Sequence, residues 1–520
     1  MRIQDTSQTI TRSFSRFFSG TLISRVTGMA REVAMAAVFG THPSVAAFWM
    51  AYRFAYLFRR ILGEGALHVA FVPHFESLRK EDPKKGARFF YDLLIGLSSL
   101  LLLLTLTIEG ALGGVLLFGH PSAATQEVLR LTMLLLPALI FLSLYALNTS
   151  LLNCEGSFFL PSVAPAILNI AWLTALFFLW KSPPQIAMER LAQILVFAFL
   201  FQWAFTLPKV FSFLSKELQR EKQKRFAAKE MISLLRPFLL IILGVVATQL
   251  NTALDSLFAR AASSEGPAYL WYAMRIHQLP LALFGVGMAG ALLPPITRAL
   301  QNRDQARFRE FLQLAVRKSI TLMLPMTIGM FALGYSGLSL LYAHGAFTDH
   351  ALVQTAHCLW AYGVALLPMS GILILAAAFF AQKKYLLPTL LTLSTLLCNT
   401  TLNALFVYLL SLGPISIALA TSFSATLHFF ALAYFLQKTH KFSLFPPLTF
   451  SLKILVASLL ALLLTLTLSH FAFPILIPRT LPLQLLRFTS ETATYFLALF
   501  GVAALFKLPD LSPRRLLSAK

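Results

Sequence analysis

Apolar runs of about twenty residues or more follow one another from end to end of this chain, separated by short polar loops. Each is long enough to cross ~30 Å of hydrocarbon as a helix, a form that satisfies its own backbone N–H and C=O groups where no water can. Charged residues make up 12% of the chain, against about 25% in an ordinary soluble one, and the mean hydropathy is +0.73. No stretch outside the runs exceeds about twenty residues, so a sizeable soluble domain has no room. The first run is longer than the apolar core of a signal peptide and has no convincing small-residue cleavage site, so it is expected to be retained. Cys154, Cys358 and Cys398 are isolated in or beside apolar segments, which suggests neither a disulfide framework nor a metal site.

The expected fold is an all-α polytopic membrane protein of about fourteen helices, over 12–40, 44–78, 89–116, 125–152, 160–180, 188–213, 231–260, 267–297, 310–341, 350–381, 385–410, 415–436, 448–470 and 485–506. The net charge of +22 invites a nucleic-acid reading, but its distribution argues against one. Lys and Arg gather in the N-terminus, in 79–88, 216–230, 298–309, 382–384 and 437–441, and in the C-terminus, while the alternate loops hold few (Lys181, Arg190, Arg260, Arg479, Arg487). Positive residues stay on the cytoplasmic side, so both termini are expected there. Much of the charge is topology.

The chain also repeats itself. "WMAYR" at 49–53 matches "WYAMR" at 271–275, "GALHVAFVP" (65–73) resembles "GALLP" (290–294), and "FFLPS" (158–162) recurs loosely as "YLLPT" (385–389). Six spans separate equivalent points, and an even number preserves orientation, so the halves are expected to be parallel repeats about an axis along the membrane normal. The expected organisation is a first lobe over 1–215, a basic loop over 216–230, a second lobe over 231–440, and two appended helices with a tail over 441–520. Arg53 and Arg275 become equivalents.

Charged residues then stand where lipid should be. Arg25, Arg31 and Glu32 lie on the first span, Arg53, Arg59, Arg60 and Glu64 on the second, and Arg275 on the eighth. At ~1.5 Å per residue, Arg25 is about 20 Å from the start of its helix, too deep for simple snorkelling. An arginine facing lipid at mid-depth costs at least ~2.5–3.5 kcal/mol. These side chains must therefore face a watery cavity, each other or an acid. Glu32, Glu64 and Asp255 are too few to neutralise them, and a net positive pocket in a membrane calls for an anionic ligand. Guanidinium forks suit phosphate oxygens. The competing reading is bracing, with arginines paired to Glu32, Glu64 and carbonyls. A second polar group, Asp255 with Asn399, Asn403 and Thr421, offers oxygens suited to a small cation such as Na⁺, or plain hydrogen bonds between helices. Asn169, Pro161 and Pro165 are expected to shape a helix.

At "SRVTGMAREVAMAAVFG" and "AAFWMAYRFAYLFRRILGEGALHVAFVP" the chain resembles the first two helices of the MurJ (MviN) lipid II flippase family. The likeness continues through "LLNCEGSFFLPSVAPAILN", "WYAMRIHQLPLALFGVGMAGALLPPITRAL" and "ALATS". The family belongs to the multidrug/oligosaccharidyl-lipid/polysaccharide exporter superfamily. The resemblance implies that Arg25, Arg31, Arg59 and Arg275 handle the diphosphate of lipid II, with Ser24 and Glu64 also at functional positions; Arg53 joins them as the repeat equivalent of Arg275. It implies a groove for the polyprenyl tail on the last two helices, and Na⁺ held by Asp255, Asn399, Asn403 and Thr421. Departures touch the gates. Ala46, Ala55-Tyr56, Glu32 and Met274 stand where other members often carry Asp, Pro-Asn, Asp and an acid.

The expected function is translocation of lipid II from the cytoplasmic to the periplasmic leaflet by alternating access, in the bacterial inner membrane, by a monomer. No cofactor is expected, Na⁺ or H⁺ coupling stays open, and membrane lipids are the other partners. A flippase for another polyprenyl-diphosphate glycan, of O-antigen type, is the alternative. An exporter of cationic drugs would need carboxylates in its cavity. A glycosyltransferase would need positioned carboxylates or metal ligands, and no such constellation is visible.

Overall fold

A computed structural model of the chain describes residues 7–59, 66–218, 246–382, 384–472 and 480–511. Glu64, Arg60, most of the 216–230 loop and the first part of the expected 231–260 span lie outside the described residues. The structure is all helical, with no strand among the described residues. It divides into two compact units, Met1–Ala253 and Leu254–Lys520.

In the first unit the helices are α1 (Ser7–Phe39), α2 (Pro43–Arg59), α3 (Ala66–Glu81), α4 (Pro83–Phe118), α5 (Ala123–Leu135), α6 (Ala138–Cys154), α7 (Phe159–Val163), α8 (Pro165–Leu179), α9 (Pro184–Ala204) and α10 (Leu207–Leu218). Helix α11, over 246–262, carries the boundary between the units. The second unit continues with α12 (Gly266–Pro280), α13 (Gly287–Gln301), α14 (Gln305–Tyr342), α15 (Asp349–Val364), α16 (Leu366–Ala381), α17 (Leu386–Ala404), α18 (Ile415–His440), α19 (Leu448–Ala472) and α20 (Leu481–Leu505).

Among the described residues eight helices are long and apolar enough to cross a membrane, and ten if each of two bent pairs is one span. Of the four expected spans not among these, 44–78 and 231–260 run partly outside the described residues, 267–297 is interrupted, and 12–40 carries Arg16, Arg25, Arg31 and Glu32. Both bends measure 41°, one between α5 and α6 and the other between α15 and α16. Pro137 stands at the first. At the second, Pro368 lacks the N–H that would bond to the Val364 carbonyl, and its ring crowds that carbonyl. The bends fall in the fourth and tenth expected spans, which the repeat makes equivalent. The expected 267–297 span is interrupted after Pro280 by a π-helical stretch, Leu281–Val286, before α13. The expected 44–78 span is described as two helices, α2 and α3.

Capping matches the sequence at the loops. Asp82 accepts from the Lys84 amide ahead of Pro83, Asp304 from Arg307, and Thr348 from Ala351, each supplying an acceptor that the first turn lacks. The first unit closes over Phe71, Phe75, Phe89, Phe90 and Leu147, brought together from α3, α4 and α6. In the second, Phe308, Leu312, Ile374, Phe379 and Leu432 join α14, α16 and α18.

Candidate functional site

The polar residues of α1 converge on α8. Arg31 is buried, and its Nη2 donates to Glu32 Oε1 at 2.6 Å while Nη1 donates to Asn169 Oδ1 at 3.1 Å. Its guanidinium lies 4.5 Å from the centre of the Trp172 ring, one turn beyond Asn169 on α8. Asn169 Nδ2 reaches back to the Ser24 carbonyl at 3.0 Å and to Thr27 Oγ1 at 3.1 Å. One amide thus ties three successive turns of α1. Trp172 in turn stacks on Trp49 of α2 at 5.8 Å and meets Phe48 and Tyr52 edge-on.

The sequence grouped Arg31 with the phosphate-handling arginines and gave Asn169 a shape-making role. The structure places Arg31 in the bracing arrangement, engaged with an acid and an amide of its own unit. The physical reason is local. Arg31 and Glu32 are adjacent in a buried stretch, and two opposite charges taken out of water gain most by meeting. Arg25 is exposed on the same helix, and Ser24 is half-buried. Arg53 is half-buried on α2, and Arg59 is the last residue of that helix.

In the second unit Arg275 is half-buried on α12, its guanidinium 4.3 Å from the Trp271 ring centre one turn earlier. The tryptophan–arginine pair of "WYAMR" is therefore a cation–π contact, worth ~0.5–2 kcal/mol. His277, two residues on, is fully buried, and neither ring nitrogen has a hydrogen bond. Its signal in the sequence was only a lone histidine in an apolar run.

Asp255 on α11 gathers the other polar group as the sequence expected. Its Oδ1 accepts from Asn399 Nδ2 and Asn403 Nδ2 of α17, each at 2.7 Å, and Thr421 Oγ1 of α18 stands 3.5 Å from Oδ2. Ser424 Oγ donates to Asn399 Oδ1 at 3.4 Å. All five residues are buried, and Asn403 Oδ1 has no hydrogen-bond partner. Asn399 and Asn403 are one turn apart because α17 is regular there, and it passes into a π-helical stretch, Leu405–Leu409, immediately after. The donor set is oxygen-rich and singly negative, which fits a hard monovalent cation.

The family model described as "Lipid II flippase MurJ" matches residues 35–486. A protein of Chlamydia pneumoniae named "Probable lipid II flippase MurJ" is 34% identical over 527 residues, covering 98% of this chain and 95% of its own length. A solved structure titled "Lipid II flippase MurJ, inward closed conformation" superposes with a TM-score of 0.76 at 24% identity, over 94% of this chain and 98% of that one. An inward-facing multidrug transporter of the MATE family, in the MOP superfamily, matches at TM-score 0.67 and 14% identity, over 82% of this chain and 98% of its own. The last two likenesses concern the fold.

Proposed function

Because the chain belongs to the MurJ family of lipid II flippases, we propose that it carries lipid II from the cytoplasmic to the periplasmic leaflet of a bacterial inner membrane, by alternating access. The observation that carries this reading is the surplus of guanidinium on membrane helices. Even with Arg31 paired to Glu32, the arginines of the first, second and eighth expected spans, Arg25, Arg53, Arg59, Arg60 and Arg275, outnumber the remaining carboxylates Glu64 and Asp255, and Arg25, Arg53, Arg59 and Arg275 would meet the diphosphate. Ser24 and Glu64 complete the set. The direction suits the charges. Two negative charges leaving a negative interior across roughly 150 mV gain about 7 kcal/mol, at ~2.3 kcal/mol per charge per 100 mV.

We read the chain as a transporter and not an enzyme, with two parallel lobes, about fourteen spans, both termini in the cytoplasm, and one chain as the working unit. Asp255, Asn399, Asn403 and Thr421 would hold Na⁺. The ion would neutralise Asp255 and link the cation gradient to the packing of α11 against α17 and α18. A flippase for another polyprenyl-diphosphate glycan would use the same arginines, and the family match favours lipid II. The deciding experiment is depletion of the protein, followed by identification of the lipid-linked intermediate that accumulates in the cytoplasmic leaflet. A disaccharide-peptide lipid is the expected result. Accumulation of an O-antigen-type lipid would move the assignment to the alternative, and failure of the lipid to form at all would point to an enzyme.

A further inference from the structure

Helix α20 carries an arginine that this function leaves unused. Arg487 Nε donates to Glu491 Oε1 at 2.8 Å, one turn further along. Ser469 Oγ of α19 donates to the same oxygen at 2.5 Å, and Gln484, one turn before Arg487, donates to Ser339 of α14 at 3.4 Å. Glu491, Ser469, Gln484 and Ser339 are all buried. The Nε edge is thus anchored where three helices meet.

The other edge is open. Among the described residues neither Nη nitrogen of Arg487 makes a hydrogen bond, and its side chain is 21% exposed. Its guanidinium carbon is 5.8 Å from the centre of the Tyr335 ring on α14. The Tyr335 hydroxyl lies within electrostatic reach of the guanidinium and, from the exposed start of α15, of Asp349.

The pairing geometry matters. An arginine present only to neutralise Glu491 would meet both carboxylate oxygens with a two-nitrogen fork. Here Glu491 Oε2 is buried without a partner, so neither Nη nitrogen bonds to it. Depth is the second clue. Arg487 is six residues into α20 and Tyr335 seven from the end of α14, about 9–10 Å from the same ends at ~1.5 Å per residue. On a helix 25 residues long, about 37 Å, that level lies about 6 Å inside the edge of ~30 Å of hydrocarbon, a depth from which a long arginine side chain reaches the headgroups.

We propose that Arg487 and Tyr335 form a binding site for a lipid phosphate, with the Nη fork taking two phosphate oxygens and the tyrosine hydroxyl a third. Glu491 and Ser469 set the fork's direction. Two sources share this chemistry: an anionic phospholipid of the bilayer and the diphosphate of a carried polyprenyl lipid. The orientation proposed above puts this site in the periplasmic leaflet, and only that sidedness rests on it.

Native mass spectrometry of the full chain in detergent tests the site without any flipping step, so its failure is distinct from failure of the transport reading. The probes are phosphatidylglycerol, a long-chain polyprenyl diphosphate and, for tail packing alone, a phosphate-free glucosyl diacylglycerol. Wild type should retain at least one phosphate lipid about tenfold or more better than Arg487→Gln/Glu491→Gln, the worth of charged hydrogen bonds. That variant leaves no buried unpaired charge. Glycolipid retention should not change. Loss confined to phosphatidylglycerol identifies a bilayer lipid, and loss confined to the polyprenyl diphosphate identifies the carried one. Arg487→Lys, which keeps the charge without the fork, and Tyr335→Phe should each lose retention several-fold. These two single variants decide the matter if the double variant is unstable. Unchanged retention of both phosphate lipids in the folded variants would make Arg487 a brace and overturn the site.

Discussion

Two arginines on membrane helices have different neighbours, and that difference sets the first expectation. Arg31 is bound to Glu32 and Asn169 inside its unit, whereas Arg275 packs on a tryptophan face. Removing one partner of a buried pair strands the other, at a cost of about 3–5 kcal/mol. Arg31→Ala and Glu32→Ala should therefore each lower the amount of folded protein in the membrane, and the double variant should recover it. Arg275→Ala should abolish flipping, with Arg275→Lys intermediate because lysine keeps charge but not the fork. Quantitative blotting beside a flipping assay reads both. Full abundance of Arg31→Ala with flipping lost would return Arg31 to the phosphate-handling set. At Asp255 the expectation concerns cations. Wild-type protein should gain thermal stability from Na⁺ over K⁺ or choline, and Asp255→Asn should lose that gain while remaining folded. An identical Na⁺ response in both would leave the cluster as hydrogen bonding between helices.

At the scale of elements, helix pairs are set by small residues and prolines as much as by apolar faces. Gly371 on α16 is buried against the ring of Phe429 on α18, and a Cβ at that position would overlap the ring. Gly371→Val should destabilise the second unit by about 1–3 kcal/mol, the usual range for overpacking. Phe429→Leu in the same chain should recover part of the loss, as melting temperatures would show. No recovery would mean that the two helices do not set each other's approach. Pro137 and Pro368 fall inside single expected spans, 125–152 and 350–381. A missing N–H announces a possible bend, but whether the helix turns by 41° depends on the neighbours that fill the space.

For the whole molecule, the alternation of basic loops gives a sidedness that one labelling experiment checks. In a chain lacking Cys154, Cys358 and Cys398, a cysteine at Thr348 should react with an impermeant thiol reagent from outside, and one within 216–230 or 437–441 should not. Reversed labelling would invert the orientation and the direction of transport with it. The sequence by itself determined the class of fold, the membrane setting, the doubled pattern and the positions at which polarity was out of place. All of these follow from hydropathy and spacing, which are local properties of a chain in a bilayer. Helical spacing also aligned Asn399 and Asn403 one turn apart, while packing brought Asp255 and Thr421 to them from two other helices. Tertiary structure alone decided which charges are spent. The partner of Arg31 beyond its neighbour is Asn169, 138 residues away, and that of Glu491 beyond its own turn is Ser469 on another helix. A charge in a low-dielectric interior is governed by the few atoms within hydrogen-bond reach, and only packing chooses those atoms.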